Sequence, residues 1–129
     1  MLDTSAIIAL PRLRSVAGLP THPVTTTVTF AELAVGPLVA EDERERARRL
    51  AVLQQAEADL EALPFDMAAA RAFGRVAADL RRAGRKPAAR TYDAMIAAIA
   101  LSRGWPVHTA NPADFADIDG LTVVAVPTA

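Results

Sequence analysis

Fifteen acidic residues are spread very unevenly along a chain of 129. Asp3 is the only charged residue before Arg12, Glu32 the only one between Arg14 and Glu41, and Asp93 the only one between Arg90 and Arg103. A carboxylate isolated in apolar sequence is drawn toward the interior, where it must be paired, neutralised or bound to a metal. Asp114, just after a bulky apolar stretch, makes a fourth candidate. Four carboxylates meeting in one crevice would repel one another. A hard divalent cation with oxygen ligands resolves that conflict, and a site with few direct ligands plus waters suits Mg²⁺, with Mn²⁺ able to substitute. Such an ion acidifies bound water and clamps phosphoryl oxygens, so the chemistry implied is metal-assisted phosphodiester hydrolysis.

Each acid also has a purely local reading. Asp3 could be a helix N-cap, Glu32 the capping-box partner of Thr29, and Asp114 a turn residue. Asp93 could complement a helix dipole, worth roughly 0.3–1 kcal/mol. Their spacing along the whole chain weighs against all four local readings together.

The elements that must position these acids follow from pattern. Asp3-Thr4-Ser5 precedes the apolar run Ala6–Leu10, a short helix that Pro11 should end; residues 11–23, with Gly18 and three prolines, read as loop or irregular helix. Val24–Val28 is β-branched throughout and predicts a strand. Thr29 with Glu32 predicts a helix from near Phe30 to Gly36-Pro37, with Glu32 in its first turn. Residues Glu41–Leu60 form a long amphipathic helix, Leu63-Pro64-Phe65 a short extended piece, and Asp66 caps a helix to Ala83, stopped by Gly84. Thr91–Ser102 is apolar nearly all round and therefore buried. Strands over 105–109 and 121–126 flank a turn at Asn111–Phe115. Strands alternating with helices predict an α/β domain with a mainly parallel sheet. Asp3, Glu32 and Asp114 then fall at the carboxyl ends of strands, the ligand-binding edge of such sheets, and Asp93 joins them if its helix packs antiparallel to the next strand.

Composition bounds the rest. The length suits one domain, 1–129, with a core of its own. The absence of cysteine excludes disulfides, thiolate metal sites and a cysteine nucleophile. A net charge of -1 argues against a broad basic nucleic-acid surface while leaving room for an enzyme that touches nucleic acid at one site. There is no membrane-length apolar run and no signal peptide, which predicts a soluble cytoplasmic protein. No P-loop, dinucleotide-binding glycine fingerprint or Gly-x-Ser-x-Gly elbow occurs.

Four blocks together resemble the PIN-domain ribonucleases, most closely the VapC toxins of bacterial toxin–antitoxin pairs. They are Leu2-Asp3-Thr4-Ser5-Ala6, Phe30-Ala31-Glu32-Leu33 after a Thr-rich strand, Tyr92–Ala100, and Val107–Phe115. They stand in family order over essentially the full length. The resemblance implies a three-layer domain with a central, mainly parallel five-stranded sheet flanked by helices. It also implies an acidic metal site of Asp3, Glu32, Asp93 and Asp114, with Thr4, Ser5, Thr109 and Asn111 as accessory polar groups. Asn111 stands where many relatives carry another acid, which removes one charge and bears on a second metal. Only two residues precede Asp3, so the first strand is either clipped or begins upstream of this sequence. The function implied is a Mg²⁺-dependent endoribonuclease toxin with an RNA substrate, a VapB-type antitoxin and a homodimeric state. The helices 41–60 and 66–83 would form the antitoxin groove, or else simply pack on the core.

Arg85, Lys86 and Arg90 belong to the only dense basic segment leading into the site and are candidates to grip RNA phosphates. His22 and His108 lack metal-ligand spacing and read as structural; Tyr92 and Trp105 could stack on a base, but core packing is the favoured reading. Two other functions were weighed. A degenerate PIN-like binding module would keep the fold without turnover. A small-molecule phosphatase is disfavoured because Asp3-Thr4-Ser5 lacks an Asp-x-Asp nucleophile arrangement.

Overall fold

The computed structural model describes residues 1–13, 23–86 and 90–127. Five helices and four short strands follow one another: α1 (Thr4–Leu13), β1 (Val24–Thr26), α2 (Thr27–Leu38), α3 (Glu43–Asp59), β2 (Glu61–Leu63), α4 (Met67–Arg82), α5 (Thr91–Arg103), β3 (Val107–Thr109), a 3-10 turn (Pro112–Phe115) and β4 (Val123–Ala125). The chain is α/β as its pattern predicts, with both strand pairs parallel: β1 with β2, and β3 with β4.

Four strands rather than five are formed among the described residues. Residues 1–3 hold the fifth place, between the two pairs, without completing a strand. Leu2 bridges His108 in parallel, Asp3 N–H donates to the His108 carbonyl, and Leu2 N–H donates to the Val24 carbonyl at 2.8 Å. The Thr25 hydroxyl donates to the Leu2 carbonyl from the β1 side. Met1 and Leu2 are both buried but join different apolar clusters, the alternation of a strand. One cluster is built on α4 and α5, where Ile96 and Ile99 are fully buried at roughly 1.5–3 kcal/mol each. The other joins α1, α2 and α3 through Ile7, Leu33 and Ala56. Helices thus cover the sheet from two sides, the three-layer arrangement expected.

Several boundaries differ from the sequence reading. α1 continues past Pro11 to Leu13, since a proline deletes one helical hydrogen bond without forbidding the next residues their helical geometry; residues 14–22, including His22, lie outside the described residues. β1 ends at Thr26, not Val28, and the N-cap of α2 is Thr26, not Thr29: its hydroxyl accepts the Thr29 N–H at 3.0 Å. Threonine is both a good strand residue and a good cap, so the run from Thr25 to Thr29 carries no local signal of where strand becomes helix. Pairing of Thr26 with Leu63 decides it. As a consequence Glu32 lies in the second turn of α2 and is no capping-box partner. α2 also runs through Gly36-Pro37 to Leu38. The extended piece expected at 63–65 is the strand at Glu61–Leu63. Tyr92 and Trp105 are 58% and 41% exposed, so neither is a core aromatic. His108, by contrast, is buried in β3.

Asp66 caps α4 as read, accepting the Ala69 N–H. The helix expected from Glu41 starts at Glu43, capped by Asp42, which accepts the Glu45 N–H. Gly104 closes α5 at φ 69, a left-handed turn that a glycine adopts without steric cost. No helix of the described residues is long and apolar enough to cross a membrane.

Candidate active site

Asp3 is the most enclosed of the acids, 4% exposed where residues 1–3 pass into α1. Its Oδ1 accepts the Ser5 hydroxyl at 2.8 Å and the Ala6 N–H at 2.9 Å, and its Oδ2 accepts the Thr109 hydroxyl at 2.6 Å. Asp3 therefore caps α1, and its place as a candidate site carboxylate is compatible with that role. Burial raises its pKa, and these three hydrogen bonds act against that rise. Ser5 and Thr109 lie 3.1 Å apart, hydroxyl to hydroxyl. The Ser5 oxygen also accepts the Ala110 N–H, and the Thr109 oxygen the Asn111 N–H. The two hydroxyls thus tie the carboxyl end of β3 to the start of α1. Asn111 takes part through its backbone.

Glu32 reaches the same region from α2. Its Oε1 accepts the Thr4 hydroxyl at 2.7 Å, and burial raises its pKa, with the charge of Asp3 adding to the rise. Asp93 stands in the first turn of α5. Burial, then the charges of Asp114, Glu32 and Asp3 in that order, push its carboxyl up to about 6, while Arg90 pulls the other way. Asp114, in the 3-10 turn, is ion-paired with Arg90. The four acids face a common region at the carboxyl edge of the strands, close enough for Asp93 to feel the other three. No three acids or histidines among the described residues close around a single point.

The basic candidates are placed differently from one another. Arg90 pairs with Asp114, Arg85 donates to Asp117 at 3.0 Å, and Lys86 is exposed. Two further features escaped the sequence reading. Thr26 and Thr29, fully buried, stand behind the Thr4–Glu32 contact; a threonine run signals strand, and nothing local marks which hydroxyl will face an acid. A cavity of about 390 Å³ also opens beside Glu32, lined by Thr4 and Ile8 of α1, Leu33 and Gly36 of α2, and Arg49 and Val52 of α3. Of the two helices expected to form a partner groove, the 41–60 segment does line it. The 66–83 segment packs Ala69, Ala72, Val76 and Leu80 into the core instead.

Acids gathered at the carboxyl ends of parallel strands lie on the ligand-binding edge of an open α/β sheet, and the sequence profile of the PIN domain matches residues 1–121. The chain belongs to the PIN-domain family. Within it, the chain is 44% identical to ribonuclease VapC5 of Mycobacterium tuberculosis, over 98% of this chain and 92% of that protein. It is 36% identical to the tRNA(fMet)-specific endonuclease VapC of Shigella flexneri, over 74% of this chain and 69% of that protein. Its fold matches a solved member of the VapBC family of toxin–antitoxin systems, VapBC-5 of M. tuberculosis, with a TM-score of 0.81 and 42% identity, covering 97% of this chain and 96% of that one. The resemblance carried by the four sequence blocks is thus borne out.

Proposed function

We propose that this chain is a Mg²⁺-dependent endoribonuclease, the toxin of a VapBC-type pair, formed by residues 1–129 as one domain and working in the bacterial cytoplasm. The observation that carries the reading is the gathering of Asp3, Glu32, Asp93 and Asp114 at one sheet edge, where burial first and then the charges of the other three push the Asp93 carboxyl up to about 6. Like charges held together at that cost call for a cation. The donor set is all hard oxygen, which fits Mg²⁺ or Mn²⁺; an ion that keeps several of its waters needs only one or two direct carboxylates and no closed cage. PIN-family VapC nucleases are generally metal-dependent. When bound, the ion supplies an acidified water and neutralises charge on the phosphoryl oxygens.

The protein's own residues do the rest. Asp3 is oriented by Ser5, Thr109 and the Ala6 N–H, and Glu32 by Thr4, so both present fixed oxygens. Lys86, which is exposed, and Arg90, paired with Asp114, supply positive charge for RNA phosphates, which positions a strand without reading its sequence. Arg85 joins them when its pair with Asp117 opens. The apolar cavity beside Glu32 suits a segment of a VapB-type antitoxin, with Arg48, Arg49 and Glu45 on its rim. The toxin state is read as a homodimer.

The test is cleavage of end-labelled RNA by the purified chain with Mg²⁺ and with EDTA, alongside Asp3→Ala and Asp93→Ala. Cleavage that needs the ion and disappears in both variants is expected. Equal cleavage in EDTA, or by the double variant, defeats the reading. A module without turnover is disfavoured, because the relatives that the chain matches over most of its length are named ribonucleases.

A further inference from the structure

Behind Glu32 runs a line of threonine hydroxyls that the chemistry above does not use. Thr26 and Thr29 are fully buried, so neither can reach a substrate. The Thr26 oxygen accepts the Thr29 N–H at 3.0 Å, which leaves its own proton to point toward the Thr29 hydroxyl oxygen, 3.2 Å away. The Thr29 hydroxyl stands 3.4 Å from that of Thr4, and the Thr4 oxygen is 2.7 Å from Glu32 Oε1. A carboxylate only accepts, so the Thr4 proton goes to Glu32, with the Thr29 oxygen as its second and longer acceptor. The hydroxyls of Thr26, from the N-cap of α2, and of Thr4, from α1, thus converge on the Thr29 oxygen.

We propose that Thr29, backed by Thr26, is the positioning residue for Glu32, acting through the Thr4 hydroxyl; its bearing on metal and RNA rests on the nuclease reading above. Glu32 has three side-chain torsions, and without a fixed partner its carboxylate would sample several positions at a cost paid on each ligand-binding event. Thr29 lies three residues before Glu32 on the same face of α2, while Thr4 comes from α1. One buried hydroxyl thus couples two helices to a single oxygen, as outer partners of metal-binding carboxylates commonly do.

The test compares Thr29→Val, which keeps the shape and loses the hydroxyl, with Thr29→Ser, which keeps the hydroxyl. Mn²⁺ binding to the full chain, by calorimetry, should weaken about tenfold in Thr29→Val and stay within about twofold in Thr29→Ser. In metal-free crystals Glu32 should leave Thr4 in the valine variant only. Wild-type Mn²⁺ affinity with Glu32 in place in Thr29→Val overturns the proposal. So does an equal loss in both variants, which would mark a packing role. Glu32→Gln separates the two claims: unchanged Mn²⁺ affinity there defeats the metal reading at Glu32, while the metal-free position of Glu32 in Thr29→Val still decides the role of Thr29.

Discussion

Arg90 and Asp114 form an ion pair that joins the residue capping α5 to the 3-10 turn after β3, across 24 positions of sequence. Its two halves act oppositely on Asp93: the Arg90 charge pulls the Asp93 pKa down, while the Asp114 charge pushes it up. Replacing Arg90 with alanine should therefore push the Asp93 carboxyl above about 6 in the metal-free chain. A ¹³C-carboxyl NMR titration reads this directly, and a fall in the Asp93 value would contradict it. RNA affinity of the same variant should drop, more at low salt than at high.

Asp93→Asn should abolish cleavage and yet make the metal-free protein more stable near neutral pH. A folded-state pKa of about 6 against an ordinary 3.8 means that the folded chain holds this proton more tightly than the unfolded chain does. Its contribution to stability is therefore lost as pH rises through about 6, and it is full below 3.8. The melting-temperature advantage of Asp93→Asn should shrink as pH falls from about 7.5 to about 5. An advantage that grows over that range would show the sign to be wrong.

Asp3→Ala should lose both activity and stability. Its carboxylate caps α1 and satisfies the Ser5 and Thr109 hydroxyls, so truncation removes a cap worth about 1 kcal/mol and strands buried polar groups besides. Urea unfolding should show a lower midpoint than wild type, in contrast to Asp93→Asn.

Ile8, 53% exposed on the wall of the cavity beside Glu32, should contribute to antitoxin capture. Ile8→Glu, made in the Asp93→Asn background, should weaken binding of a VapB-type antitoxin by about tenfold or more, as buried apolar anchors commonly do. Affinity within about twofold, measured by calorimetry, would move the antitoxin elsewhere.

Much of this molecule was legible before any coordinates. Asp66 before an amphipathic run, and Gly84 and Gly104 after helical ones, are signals that act within one turn, so α4 and α5 are found where the sequence puts them. Asp3, Glu32 and Asp93 could be singled out because charge is rare in their neighbourhoods, and Asp114 because it follows a strand. The strand-to-helix boundary at Thr26 could not be read, because five residues of nearly equal local preference surround it. Tyr92 and Trp105 could not be placed for a related reason: bulk predicts burial on average, whereas packing leaves Tyr92 exposed on α5 and Trp105 exposed in the turn between α5 and β3.

What the sequence determined by itself is the set of groups available: four acids, the hydroxyls near them, a fold class, and no cysteine chemistry. Which groups meet was decided by the tertiary structure. Asp3 and Thr109 are 106 positions apart and bond because residues 1–3 lie against β3. Thr4 and Glu32 meet because α1 and α2 pack together, and that contact gives Thr29 its place behind the site. Local preferences act over a few residues, whereas these bonds depend on chain closure and on burial shared by whole elements. The uneven spacing of acids named the candidates, and the sheet edge brought them to one region.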